Sequence, residues 1–111
     1  MHQSHNISAQ VHIDHAQIAN FCQKWKITEL ALFGSVLRKD FCPENSDIDV
    51  MISFAKDAHW TLFDLVDMEE DIKKVFNRDV DLVSRRGIER SRNALRRQAI
   101  LNSTQVIYAA P

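Results

Sequence analysis

Asp47-Ile48-Asp49-Val50-Met51-Ile52-Ser53-Phe54 is the stretch that decides the fold. Ile48, Val50, Ile52 and Phe54 fall on one side of an extended chain, and Asp47, Asp49, Met51 and Ser53 on the other. This period of two predicts a strand with one apolar face. Upstream, Leu30-Ala31-Leu32-Phe33 is a continuous apolar run ended by Gly34, the pattern of a strand buried on both faces. Downstream, Asp79-Val80-Asp81-Leu82-Val83 follows the Asn77-Arg78 turn and reads as a third strand. Helical spacings lie between them. Ile13, Ala16, Ile18, Phe21, Cys22 and Trp25 predict a helix from about Asp14 to Lys26. Leu62, Leu65, Val66, Ile72, Val75 and Phe76 form the stripe of a second, from about Leu62 to Phe76. Ile88 to Leu101 reads as one long third helix, and Val106-Ile107-Tyr108 as a short apolar tail. Gly34-Ser35 is a turn, Val36 to Lys39 a short helix, and Asp40 to Ser46 a loop of turn-forming residues. Strands alternating with helices indicate an α/β (α+β) class: a small mixed β-sheet flanked by helices.

Composition bounds what this domain does. The chain has 111 residues, 45% hydrophobic and 26% charged, values of a globular protein large enough for one modest core. It reads as a single domain over residues 11–111 behind a disordered polar tail at 1–10. Only 2 glycines and 2 prolines are present. That excludes collagen repeats, a Walker phosphate loop and a GxGxxG turn, all of which need more glycine at fixed spacing. The apolar runs are far too short to span a bilayer, and the first residues carry no apolar signal segment, so a cytoplasmic protein without membrane contact is expected. Cys22 and Cys42 lie 20 residues apart, outside any CxxC, and read as free thiols, Cys22 packed and Cys42 in a loop. Net charge is −1, but its distribution is uneven. Arg85, Arg86, Arg90, Arg92, Arg96 and Arg97 face a single acid, Glu89, within residues 85–97, giving that segment +5 and the rest of the chain −6.

The candidate chemistry lies in Gly34-Ser35, Asp47-x-Asp49 and Asp81. Residues two apart on a strand project from one face, about 6.5 Å apart. If the third strand pairs with the second, Asp81 brings a further carboxylate into the same space. Three such anions repel one another unless a cation lies among them, so a metal is expected rather than a bare cluster. Carboxylate oxygens suit Mg²⁺, and two ions about 3.5–4 Å apart clamp an in-line displacement at phosphorus. Gly34 lets phosphate oxygens approach its N–H. Ser35 adds a hydroxyl at the start of a short helix, and Arg38 and Lys39 follow as candidate charge partners.

Gly34-Ser35, then Asp47-Ile48-Asp49, then a later strand aspartate resembles the DNA polymerase beta nucleotidyltransferase superfamily. The wording Gly34-Ser35-Val36-Leu37-Arg38-Lys39-Asp40 … Ser46-Asp47-Ile48-Asp49-Val50, with Val80-Asp81-Leu82-Val83, resembles its minimal branch, the MntA-type antitoxins of MntA/HepT toxin–antitoxin pairs. The resemblance covers about Ile18 to Ala109. It implies a nucleotidyltransferase core in which Asp47, Asp49 and Asp81 are catalytic and bind Mg²⁺, two ions in all. Asp81 would complete one metal site and deprotonate or orient the attacking hydroxyl. Gly34 and Ser35 would form the triphosphate-binding turn, and Arg38, one turn further on, is the added candidate for nucleotide binding. It further implies transfer of AMP from ATP to a tyrosine of a HEPN-type ribonuclease toxin. In one departure, 11 residues separate Ser35 from Asp47 where the common pattern has ten, the extra one in the Cys42–Ser46 loop.

Two other function classes stand beside this one. A binding module would neutralise the toxin by occlusion, docking through Arg85–Arg97. A different acceptor, a small molecule or an RNA 3′ end, would keep the chemistry, although the chain has little room for a second substrate domain. The arginines suit carboxylate or phosphate. Without interleaved aromatics they lack the stacking of a single-strand binder, so direct nucleic-acid binding is not expected. The remaining polar residues read as structural. Asp67, Glu69, Glu70 and Asp71 form the wet face of a helix. Asp79 is a solvated or capping residue. His2, His5, His12 and His15 belong to a tail-like stretch. His59 sits in a loop, and Trp25 and Trp60 at the core or its rim.

Overall fold

The computed structural model describes residues 13–34 and 47–110. The proposed tail at 1–10, Ser35, the Val36–Lys39 helix with Arg38, and the loop with Cys42 lie outside the described residues, as do His2, His5 and His12. The described residues form four helices and four strands, and no described helix is long and apolar enough to cross a membrane.

The chain enters through α1 (His15–Lys24), started by Asp14, whose carboxylate accepts from the N–H groups of Ala16 and Gln17 at 3.1 Å. An aspartate there satisfies amides that have no partner within the helix. His15 is therefore the first helical residue and not part of a tail. Strand β1 (Ile27–Phe33) pairs antiparallel with β2 (Ile48–Phe54). Helix α2 (Leu62–Phe76) crosses back to β3 (Val80–Ser84), which pairs parallel with β2. The bounds of α2 are written in its ends. Thr61 and Asp64 form a reciprocal capping box, and Asn77 closes the helix in the left-handed conformation at φ 55°.

Two readings are corrected beyond β3. The single helix expected from Ile88 to Leu101 is two helices, α3 (Arg85–Glu89) and α4 (Ala94–Asn102). Ser84 caps the first by accepting from the Gly87 N–H, so it starts as soon as the strand ends. Between the helices Ser91 accepts from the Asn93 N–H, and Asn93 Oδ1 accepts from the Arg96 N–H at 3.0 Å. Short polar side chains offer the backbone these alternatives to helix, and an uninterrupted apolar period does not reveal it. The expected apolar tail is a strand, β4 (Gln105–Ala109), antiparallel to β1. Its alternation is blurred by a register shift opposite Leu30/Ala31, which lets the neighbours Ile107 and Tyr108 both reach the main core.

The sheet order is β3-β2-β1-β4, mixed in direction. One face carries α1 and α2 over Leu30, Leu32, Ile48, Val50, Ile52 and Val80, joined by Ile18, Phe21, Met68 and Ile72. The other carries α3 and α4 over a smaller cluster of Ala31, Phe33, Met51, Ile88 and Ile100. The expected two-sided burial of β1 is thus observed. The α2 stripe is rotated from the expected one. Met68, Ile72 and Phe76 are buried, while Leu62 and Val66 are exposed, with Phe63 beside them at 84%. The Thr61–Asp64 capping box settles where the helix starts, and packing on the sheet settles which side turns inward.

The seam between α1 and α2 is polar at its rim. Asp71 accepts from Lys24 Nζ at 2.7 Å and from Trp25 Nε1 at 3.0 Å, so it joins two helices and is not merely part of a wet face. The Lys24 hydrogen bond holds its carboxyl below the usual carboxylate range, against a smaller upward push from desolvation. Trp25 meets Trp60 edge to face at 5.2 Å, and Trp60 Nε1 donates to the Trp25 carbonyl. Cys22 is buried in the main core, and burial pushes its thiol up to about 12. A thiol that stays protonated is no nucleophile, consistent with a packing role.

Candidate functional site

The smaller core identifies the face on which the acids stand. Met51 is buried against α3 and α4, and Val83 packs beside it. Alternation along β2 and β3 therefore puts Asp49 and Asp81 on that same face, one pleat toward the strand starts. The parallel register pairs them directly, Asp49 with Asp81 and Met51 with Val83. Their backbones are about 4.8 Å apart. On its other side Asp49 pairs with Phe33, the last residue of β1. The two aspartates lie beyond the edge of the Ala31–Phe33–Met51 cluster. Asp49 is half-buried and Asp81 exposed.

Gly34 completes this arrangement in a way that only coordinates reveal. It follows Phe33 with φ +73°, a conformation that disfavours a side chain. A Cβ added there would overlap Asp49 Oδ2 and lie 3.2 Å from Asp49 Cγ. The glycine therefore leaves room for a carboxylate of the chain itself. The phosphate approach expected at this residue concerns the same small space.

Asp47 sits two residues before Asp49, just ahead of β2, and is exposed. Among the described residues, no three histidine, cysteine, aspartate or glutamate side chains lie close enough to hold a metal ion. The structure thus brings Asp49 and Asp81 together beside Gly34 and leaves Asp47 outside a formed triad. Ser35 and Arg38 lie outside the described residues. Asp79 is exposed, with its carbonyl accepting from the Ile48 N–H at 3.2 Å, so its expected solvated side chain goes with a strand-closing backbone.

The donor chemistry still fits a hard divalent cation. Two carboxylates face one side from adjacent strands, and a third is available from the start of β2. The basic segment borders the same face of the sheet through α3 and α4. Arg85 is held by Glu89 at 3.2 Å and Glu29 at 3.6 Å, and Arg97 donates to the Ser91 carbonyl. Arg86, Arg90, Arg92 and Arg96 are exposed, and Leu95 among them is 82% exposed.

Residues 16–107 match the model of the nucleotidyltransferase domain family, and this is most of the chain. The chain belongs to the nucleotidyltransferase domain family. Among curated proteins, this nucleotidyltransferase domain is 32% identical over 65 residues to a protein of Methanocaldococcus jannaschii that carries the provisional name of protein adenylyltransferase. That match covers 59% of this chain and 64% of the relative, so it spans less than two thirds of the relative's length. Among solved structures, the fold matches a chain of a variant MntA–HepT toxin–antitoxin crystal structure with a TM-score of 0.62 at 17% identity. The match covers 88% of this chain and 75% of that one. It also matches a chain of a complex between a tri-AMPylated HEPN toxin of Shewanella oneidensis and its MNT antitoxin. There the TM-score is 0.56 at 18% identity, covering 86% of this chain and 70% of that one. These likenesses establish the nucleotidyltransferase fold.

Proposed function

We propose that this nucleotidyltransferase domain transfers AMP from ATP to a hydroxyl of a protein acceptor, a tyrosine of a HEPN-type toxin, and so acts as an antitoxin. The observation that carries the reading is the direct pairing of Asp49 with Asp81 beside Gly34, on the α3–α4 face of the sheet. The relative named as a protein adenylyltransferase and the likeness to a chain of an AMPylated-toxin complex support the acceptor class.

Asp49 and Asp81, with Asp47 from the start of β2, are the residues that would hold Mg²⁺. Bound there, the ion would neutralise charge on the phosphates as pyrophosphate departs. The chain's own groups do the rest. Gly34, Ser35 and Arg38 receive the triphosphate, beside the Asp49 carboxylate that fills the space a Gly34 side chain would take. Asp81, the more exposed acid, orients the acceptor hydroxyl and takes up its proton. The acceptor oxygen forms a bond to the α-phosphorus, the bond from that phosphorus to the pyrophosphate oxygen breaks, and the proton passes from Asp81 to solvent. The added phosphate places charge and bulk on the toxin.

The test mixes the protein, Mg²⁺, labelled ATP and a HEPN-type toxin and follows label and intact mass. Wild type should add AMP and Asp49→Asn should not. Equal labelling by both would end the proposal.

A second reading is favoured by one observation: Arg86, Arg90, Arg92 and Arg96 are exposed without an ion pair among the described residues, around an exposed Leu95. Arginines around an apolar side chain suit a protein surface. On that reading docking alone neutralises the toxin. Asp49→Asn would then still protect, whereas Arg92→Glu with Arg96→Glu would not.

A further inference from the structure

Two outward helix faces carry apolar side chains with opposite charge beside them. Among the described residues five large apolar side chains are exposed, and four of them lie on two helices: Leu62, Phe63 and Val66 on α2, and Leu95 on α4. On α2, Phe63, Val66, Asp67 and Glu70 recur at intervals of three and four. They form one exposed stripe, opposite the buried Met68 and Ile72. Leu95, Arg96 and Ala99 are exposed on α4, and Arg92 is exposed just ahead of it, at the same intervals. Exposed apolar groups gathered in this way, rather than scattered singly, mark an interaction surface.

The charges beside them are available. Asp67 makes no ion pair among the described residues, and Glu70 holds only Lys73, its neighbour on the same helix, at 3.3 Å. An exposed pair of that kind is worth little and yields to a guanidinium. Arg92 and Arg96 make no ion pair among the described residues either, since the arginine pairs there are those of Arg85. Laid antiparallel, the two stripes match position by position. Phe63 and Val66 meet Ala99 and Leu95, while Asp67 and Glu70 meet Arg96 and Arg92. A parallel arrangement sets Glu70 on Ala99 and Arg92 on Phe63 instead. The complement to the acidic stripe is therefore carried by the chain itself. The uneven charge of the sequence, +5 over residues 85–97 against −6 elsewhere, has a use in such a contact.

We propose that this chain binds a second copy of itself, with α4 of one copy lying antiparallel along α2 of the next. The two helices cover opposite faces of the sheet, so one contact leaves an α2 stripe and an α4 stripe free. The association is head-to-tail and grows with concentration instead of closing as a two-fold dimer. Two short stripes bury little surface, which makes the contact weak and sensitive to salt. It does not rest on the reading given to the Asp49–Asp81 pair.

Sedimentation velocity of the full chain alone, from micromolar to millimolar, tests this. The mean mass should rise with concentration and fall back in high salt. Asp67→Arg with Glu70→Arg should weaken association about tenfold or more, and so should Arg92→Glu with Arg96→Glu, because like charges then face each other. Mixing these two variants should restore it. The reversed α2 of one then meets the reversed α4 of the other, and the two unaltered stripes also match. A restored mixture shows at the same time that both variants fold. Phe63→Ser should weaken association with the unfolding midpoint nearly unchanged, and Asp49→Asn should associate as wild type does. The proposal is overturned if wild type stays monomeric throughout, if it forms a dimer that neither pair of reversals weakens, or if the mixed variants stay apart.

Discussion

The two faces of the sheet are built from the same strands and differ in what covers them. The face under α1 and α2 is sealed: its residues from β1, β2 and β3 join Ile18, Phe21, Met68 and Ile72 in one continuous core. Among the described residues the face under α3 and α4 carries the smaller cluster, and Asp49 and Asp81 stand at its edge. Burying charge without a partner costs several kcal/mol, so paired acids belong at the edge of a core. The sealed face supplies rigidity, and the other holds acidic groups in register at little cost to stability.

That contrast predicts opposite results from substitutions on the two sides. The largest effect is expected on the α3–α4 face. Asp49→Asn should lower AMP transfer by about 10²–10³-fold, from the charge stabilisation it would remove, with the unfolding midpoint in urea nearly unchanged. A large loss of stability instead would make Asp49 a structural residue. On the sealed face Ile72→Ala should cost about 3 kcal/mol by denaturant unfolding, the usual toll of a large-to-small change at a fully buried position. Residual activity per folded molecule should remain.

Gly34→Ala lies on the boundary and should show both effects. Its left-handed backbone costs an alanine about 1–2 kcal/mol, and its Cβ must displace Asp49. Thermal melting should fall by several degrees and transfer should fall with it; a normal rate would separate Gly34 from the acids. A smaller effect is expected at the rim of the sealed side. Asp71→Asn should cost about 1 kcal/mol, because it loses the charge that Lys24 and Trp25 hold. The sign with pH follows. Asp71 is held below its ordinary value, so its contribution is complete above about pH 4 and is lost as pH falls through the lower folded value. Asp71→Asn should flatten the acid side of the stability profile. The smallest change is Phe63→Ser, where an 84% exposed ring should alter stability by less than about 0.5 kcal/mol.

Legibility followed the physics that each element obeys. The alternation in Asp47–Phe54 follows from the two-residue repeat of an extended chain, so strand, facing and the Asp49 side were all readable. Helix α2 was readable to the residue because its caps are local side-chain hydrogen bonds. The division of α3 from α4 was not, because the Ser91 and Asn93 contacts compete with a periodic pattern that continues through them. Strand β4 was not either, since its register shift blurs the alternation on which strand reading rests. The exposed Leu62 and Val66 show the same limit in a helix: a stripe has width, and packing chooses its centre.

By itself, then, the chain's order of residues determined the strand and helix types, the glycine at the bend and the three candidate acids, because those depend on spacing and on neighbours a few positions away. Only the tertiary structure decided that Asp49 and Asp81 meet in register and that Asp49 needs the space a glycine leaves. Each of those joins residues at least 15 positions apart, and strand pairing and packing, not local propensity, bring them together.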